Sequence, residues 1–428
     1  MPYFDHNATA PLAPIARETW LRLSDENWHN PSSPTREGAR ARLRLDAARE
    51  RLAEFLGTAP ARIVFNSGAT EGANAVFAHW ARSLPPGSRI ALNPTEHPAV
   101  LEAARRFFPD RIDFLDLTPA GLIHLDSLKN RLAPRPLPPT AFAEKCHVLR
   151  DIPLASIAAS PPSDTPHLPA ECHVIRDIFS APAAVVVMAA NNETGVLQPW
   201  RDIARLCAEH HLPFLCDATQ WLGKLPSSGL GAAGWVIAST HKFGGPKGTG
   251  FLVFPEQSES FSAQAGGAHE NAHRAGTEDV PSIGASIAAL ADAEQSKVFL
   301  EDERLRWRND FERAIVAAIP GTRILTADTT ERLWNTVPLI LPLVENTRWV
   351  AKLDKRGFQV STGSACATGK EGPSHVLAAL GFTADDARRF VRISSGWETS
   401  AADWTALLEA FIAVATELVP PANVIKLP

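Results

Sequence analysis

Short apolar runs alternate with helical stretches over most of the chain. Ile63-Val64-Phe65 predicts a strand that breaks into Asn66-Ser67-Gly68-Ala69-Thr70-Glu71-Gly72, followed by a helix over 73–84. Further strands are predicted over 89–92, 183–188, 212–216 and 235–238, with helices between them such as 200–210. Buried strands separated by helices imply a mostly parallel sheet covered on both faces, an α/β fold. The pattern over 34–56 predicts an amphipathic helix. Leu43, Ala47, Leu52, Phe55 and Leu56 share its apolar face, the arginines form a solvated face, and Gly57 is the stop. From about Leu300 a long charged helix precedes mixed strands and helices, which marks a second, smaller domain.

The stretch 132–182 departs from this pattern. It is proline-rich, and Cys146-His147-Val148-Leu149-Arg150-Asp151-Ile152 returns as Cys172-His173-Val174-Ile175-Arg176-Asp177-Ile178. Adjacent Cys-His is not a metal-ligand spacing, and neighbouring side chains on a strand point to opposite faces. The expectation is a duplicated piece in a surface insertion, and no metal site.

Composition narrows the function classes. The chain has 428 residues, 45% apolar and 21% charged, which excludes disorder throughout, collagen and coiled coil. A net charge of −5 argues against general nucleic-acid binding. No apolar run is long enough to span a membrane. Met1 to His6 lacks the basic-then-apolar order of a signal peptide, and five scattered cysteines fit a reducing compartment, so a cytoplasmic protein is expected.

Unusual polar residues gather just after the apolar runs, where parallel sheets bind ligands. In Ser67-Gly68-Ala69-Thr70-Glu71-Gly72, glycine and a helix N-terminus can cradle a phosphate or simply connect strand to helix. Asp217 closes an apolar strand, either as a helix cap or as the partner of a cationic ring nitrogen, and Gln220 follows. Lys242 stands after a buried strand in Ser239-Thr240-His241-Lys242-Phe243-Gly244-Gly245. A desolvated lysine there can bind an aldehyde covalently, with Ser239 and His241 near a phosphate. Lys247 competes but sits in an exposed turn. Cys366, on the glycine-rich loop Ser361 to Gly369, is a nucleophile candidate. His97 is either an ordinary loop residue or a ring laid over a cofactor. A lysine, an acid, a phosphate cradle and a ring fit together as a pyridoxal phosphate site.

With these pieces in order, the chain resembles the cysteine desulfurases, class-V aminotransferase-fold enzymes of the nitrogenase-type and housekeeping iron–sulfur branch. The resemblance rests on Tyr3-Phe4-Asp5-His6-Asn7-Ala8-Thr9, Asn30-Pro31-Ser32-Ser33, Ser67-Gly68-Ala69-Thr70-Glu71, Glu96-His97, Asn191-Asn192-Glu193-Thr194-Gly195 and Asp217-Ala218-Thr219-Gln220. It continues through His241-Lys242, Arg274-Ala275-Gly276-Thr277, Gly363-Ser364-Ala365-Cys366 and Arg392-Ile393-Ser394. The stretch 132–182 has no counterpart in that pattern, and His6 departs from it.

The resemblance implies the type I pyridoxal-phosphate transferase fold. A large domain over 15–297 would carry a mostly parallel seven-stranded sheet, and residues 1–14 with 298–428 would form a smaller α+β domain. It implies that Lys242 binds the cofactor and moves the substrate Cα proton. Asp217 would pair with the ring nitrogen, Gln220 with the phenolic oxygen, and His97 would stack on the ring and act as a catalytic residue in acid–base steps. The phosphate would lie on Ala69, Thr70, Ser239 and His241, with Thr277 added from a partner subunit. Asn192, also near the cofactor, and Arg392 would hold the carboxylate of L-cysteine, and Cys366 would accept its sulfur. A homodimer and a sulfur-acceptor protein, an iron–sulfur scaffold or a tRNA-thiolation partner, are implied as well. The alternatives are a selenocysteine lyase, another class-V aminotransferase or lyase, or a non-catalytic scaffold of this fold.

Overall fold

The computed structural model describes residues 2–133, 181–258, 260–363 and 374–418. The Cys146 and Cys172 repeat and the Cys366 stretch lie outside the described residues. Seven strands form one sheet: β1 Ile63–Asn66, β2 Ile90–Leu92, β3 Ile112–Phe114, β4 Ala184–Val186, β5 Phe214–Asp217, β6 Trp235–Ser239 and β7 Gly250–Val253. Their spatial order is β1-β7-β6-β5-β4-β2-β3. Neighbours from β3 to β6 run parallel, and β7 is antiparallel to both β6 and β1. The mostly parallel seven-stranded sheet that the resemblance implies is therefore present, and β3 and β7 are strands that the apolar pattern did not predict.

Strand alternation builds the two covered faces. Phe65, Ala91, Val185, Cys216, Val236 and Phe251 point into one apolar cluster, which the helices Arg36–Leu56, Trp200–Glu209 and Val280–Asp292 close. Val64, Ile90, Leu92, Val186, Leu215, Ile237 and Leu252 point into the other, under the helices Ala69–Ser83 and Pro98–Phe107. A second sheet pairs β8 Arg323–Ile324, β9 Thr336–Ile340 and β10 Phe390–Ser394 in the order β10-β9-β8, all antiparallel. Its core gathers Val337, Leu339, Val391 and Ile393 with Phe311, Trp349, Trp404 and Phe411. Phe4 belongs to this cluster, because the first residues lie beside the small sheet through the Tyr3–Gln359 and Asp5–Ser394 bridges.

One sequence expectation is corrected. The helix Arg36–Leu56 ends at Gly57 in the left-handed conformation, as its sequence predicts, but it is rotated from the expected face. Leu43 is 68% exposed and Ala47 is exposed, while Ala41, Leu45, Ala48, Leu52, Ala53 and Leu56 are buried. The cause is a charge on the inner face. Arg49 is buried, bidentate on Glu270 at 2.8 and 2.9 Å, and donates to the Ile63 carbonyl at 2.6 Å. Glu270 also accepts the Phe65 N–H at 2.8 Å. This arginine is thus a tie between helix and sheet and not part of a solvated face. Breaking a buried pair on one side leaves an uncompensated charge, so it fixes the helix rotation.

Gly250 sets the spacing between β1, β7 and β6 at the functional end. A Cβ there would come within 2.4 Å of both the Ala238 carbonyl oxygen and Gly68 Cα. Gly250→Ala is expected to destabilise the fold by about 1–3 kcal/mol through overpacking, read as a lower midpoint in chemical denaturation. An unchanged midpoint would show that the strands can part without cost.

Candidate active site

The loops after β1, β2, β4, β5 and β6 leave the sheet at one edge, the carboxyl end of the parallel strands. That edge brings the sequence-predicted residues together. After β1, Asn66 Oδ1 accepts the Gly68 N–H at 2.9 Å and turns the chain. Gly68 adopts φ +144°, and a Cβ at this position would stand 3.0 Å from Ser239 Oγ. The following helix starts at Ala69, earlier than its apolar pattern indicates, because the glycine turn frees the backbone to enter the helix at once. Ala69 N–H donates to Ser239 Oγ at 2.8 Å, which joins the helix N-terminus to the end of β6. Thr70 is exposed in that first turn. Glu71 accepts from Ser67 and pairs with Arg274 at 2.9 Å. Burial works to raise Glu71, but these bonds prevail and hold it below the usual carboxylate range.

Lys242 stands one short turn beyond β6. Its Nζ donates to the carbonyls of Asn7 and Ala8, both at 2.7 Å. His241 meets Thr9 Oγ1 at 3.0 Å through Nδ1, and burial followed by Lys242 pushes its pKa down to about 4. On the next strand Asp217 is buried, and Thr219 N–H donates to its Oδ1 at 2.9 Å. Burial raises Asp217, and Thr219 and Lys242 only partly offset it. Gln220 is buried and donates through Nε2 to the same Asn7 carbonyl at 2.9 Å.

His97 caps the helix Pro98–Phe107, with Nδ1 accepting the Ala99 N–H at 3.1 Å. That bond puts the proton of the neutral ring on Nε2. Burial first, then Lys242, His375, Arg392 and His241, depress His97 to about 4, so it is neutral near pH 7. Arg392 is 1% exposed. It donates to the Asn192 carbonyl at 3.0 Å and to Asp5 at 2.5 Å, while its Nε is buried without a partner. Thr277 is exposed. Lys247 is exposed, as expected.

Four participants have no candidate role in the sequence reading. Asn7 supplies the carbonyl shared by Lys242 and Gln220. Lys224 is buried against Gln220, with Nζ 2.7 Å from Oε1. Glu96 is fully buried: Oε1 accepts the Met188 N–H at 2.5 Å and Oε2 has no partner. Burial, then Asp217, pushes Glu96 well above the usual carboxylate range. Glu193 is buried and accepts Ser374 Oγ at 2.6 Å. The signal for Asn7 and Glu96 was position inside motifs already singled out. Lys224 left only a lysine among apolar neighbours. His6, the departure from the motif, is absorbed by Glu398 at 2.7 Å and the Ser394 carbonyl.

Comparison with known proteins follows the same lines. A class-V aminotransferase family model matches residues 2–137 and 160–407. An IscS-like cysteine desulfurase of Mycobacterium tuberculosis is 31% identical over 419 residues, covering 96% of this chain and 95% of that protein. A NifS-like protein of known structure aligns with a TM-score of 0.78 at 24% identity, covering 97% of this chain and 99% of its own. SspA, solved in complex with cysteine, aligns with a TM-score of 0.71 at 26% identity, covering 92% and 99%. The chain belongs to the class-V aminotransferase family, and its fold is the type I pyridoxal-phosphate fold. Enzymes of this family depend on pyridoxal phosphate.

The residues present fit that cofactor. Gly68 leaves a cradle that a Cβ would fill, beside the helix N-terminus and the Ser239 hydroxyl. Asp217 is a buried carboxylate whose charge a protonated ring nitrogen would compensate. Lys242 is the amine on the adjacent strand's loop.

With a folded His97 pKa near 4 and an unfolded value near 6.5, the unfolded chain binds the extra proton between those limits. The His97 contribution to stability is therefore complete above pH 6.5 and is lost as pH falls towards 4. His97→Asn keeps a cap acceptor but does not titrate. The wild-type minus variant difference should fall by on the order of 2–3 kcal/mol from pH 7 to pH 4 in denaturant titrations. A pH-independent difference would show that His97 is not buried neutral.

Proposed function

We propose that this chain is a pyridoxal-phosphate-dependent cysteine desulfurase that converts L-cysteine to L-alanine and passes the sulfur through Cys366 to an acceptor protein. The carrying observation is the placement of Lys242 and Asp217 on adjacent strand ends, in a chain similar over nearly its whole length to a cysteine desulfurase. When bound, the cofactor supplies an aldehyde for covalent capture and a ring that accepts electrons from the substrate carbon.

The chain's own residues supply the rest. Ala69, Thr70, Ser239 and His241 hold the phosphate, and Thr277 completes the site of a partner copy in a homodimer. Asp217 keeps the ring nitrogen protonated. Gln220 donates to the phenolic oxygen. His97 covers the ring as a neutral imidazole with its proton on Nε2. Lys242 anchors the cofactor and then moves the proton at the substrate Cα. Asn192 and Arg392 receive the substrate carboxylate, and the unpartnered Nε of Arg392 supports that role. The Cys366 thiolate attacks the substrate sulfur as the carbon–sulfur bond breaks. The sulfur stays on Cys366 as a persulfide, and the carbon left behind takes up a proton and departs in alanine. The two cysteines among the described residues, Cys207 and Cys216, are both buried and free, which supports a reducing, cytoplasmic setting. An iron–sulfur scaffold or a tRNA-thiolation protein is the class of acceptor.

The test is alanine and sulfide release from L-cysteine with a reductant. Wild type should form alanine, Lys242→Ala should form none, and Cys366→Ala should lose at least two orders of magnitude in rate. Equal alanine formation by wild type and Cys366→Ala would overturn the persulfide route in favour of a lyase.

A further inference from the structure

The buried lysine that the mechanism above does not use is Lys224, 4% exposed at the end of the turn that follows β5. A buried ammonium is costly unless something compensates it. Among the described residues Lys224 forms no ion pair. Its Nζ donates to Gln220 Oε1 at 2.7 Å and to the Gln220 carbonyl at 3.3 Å, both neutral acceptors. The charged groups that face it are cations, Lys242 from the β6 loop and Arg392 from β10. Burial and these two neighbours lower its pKa to about 7. The turn carrying it is held rigidly. Trp397 Nε1 donates to the Gly223 carbonyl at 2.6 Å, and Trp334 Nε1 donates to the Lys224 carbonyl at 3.0 Å. Gly223 adopts φ +70°, and a Cβ there would stand 2.3 Å from Phe243 Cβ, so the turn packs directly against the residue after Lys242. A cation fixed this firmly among other cations fits a site whose ligand brings negative charge.

The contact with Gln220 has a chemical consequence. In its ammonium form Lys224 only donates, so the amide atom facing it is then the oxygen, which is how the structure places it. The Nε2 end is thereby turned to the Asn7 carbonyl, the acceptor that also takes Lys242 Nζ. We propose that Lys224 is a positioning residue for the cofactor: it locks the Gln220 amide as a donor towards the Lys242 side of the site and backs with positive charge the anionic phenolic oxygen that Gln220 meets. The proposal rests on the pyridoxal-phosphate reading above and goes beyond it in assigning Lys224.

The test uses the full chain loaded with pyridoxal phosphate, and reads the pH midpoint of the bound cofactor's visible absorbance together with cofactor affinity. Removing a positive charge beside the Lys242 nitrogen makes that nitrogen easier to protonate, so the midpoint should rise. Lys224→Met should raise it by about half a pH unit or more, the scale of one charge at an effective dielectric near 20. Affinity should fall several-fold. Lys224→Gln, which keeps a donor without charge, should shift the midpoint in the same direction and serves where the methionine variant does not fold. On a Gln220→Leu background the loss of cofactor affinity caused by Lys224→Met should shrink markedly, because the positioning acts through that amide, while the midpoint shift, a direct effect of the charge, should persist. An unmoved midpoint in folded, yellow Lys224→Met or Lys224→Gln protein overturns the proposal, and so does an affinity loss undiminished on the leucine background. A wild type that gains no visible absorbance with pyridoxal phosphate overturns the cofactor reading along with it.

Discussion

The bonds of Asn7 hold the two sheets in one arrangement at the site. Its carbonyl accepts from Lys242 and Gln220, on loops of the large sheet. Its side-chain nitrogen donates to the Asn192 carbonyl and to Thr336 Oγ1 on β9. Its backbone N–H donates to Ser394 Oγ on β10, and Asn335 donates to its Oδ1. All four polar atoms of one buried residue are thus committed, with three bonds to loops of the large sheet and three to the small sheet side. A buried network satisfied to this degree allows few alternative arrangements, which is what a site needs when its groups come from distant parts of the chain.

The electrostatics of the cleft follow from that closeness. Lys242, Lys224 and Arg392 lie near enough to influence one another, and carbonyls from Asn7, Ala8, Gln220 and Asn192 absorb much of their charge. Asp5 takes one face of Arg392. The same positive field keeps His97 and His241 neutral, with burial as the larger cause. At the strand-end side, Asp217 and Glu96 are both buried; burial raises both, and Asp217 adds to the rise of Glu96. A cationic side facing an acidic side is complementary to a ligand with a protonated ring nitrogen and anionic oxygens.

The fold places these groups through ordinary means. Alternating strand residues cover both faces of the sheet, so the carboxyl edge is the region left free for polar loops. Gly68 and Gly250 bring β1, β7 and β6 close enough for the Ala69 N–H to reach Ser239. The buried Arg49–Glu270 pair fixes the long helix against the same strands.

Five of the seven strands of the large sheet, its mostly parallel character, and the lysine and acid after two apolar runs were legible in the sequence, because local periodicity and loop chemistry depend on neighbouring residues alone; β3 and β7, too short or too glycine-led to stand out, were not. Ser239, Lys242 and Asp217 stood out because polar groups directly after buried strands need a reason. What only the tertiary structure decided depends on distance between segments far apart in the chain. The face of the Arg36–Leu56 helix was set by Glu270, whose position periodicity cannot supply, so Leu43 lies outside and Arg49 inside. Asn7 became a hub because residues 3–9 lie beside the small sheet, and Lys224 joined the site because its turn is pressed against Phe243. A lysine between apolar residues reads from sequence as a surface charge. Whether it is one depends on what packs over it, and here that is a glutamine and two indoles.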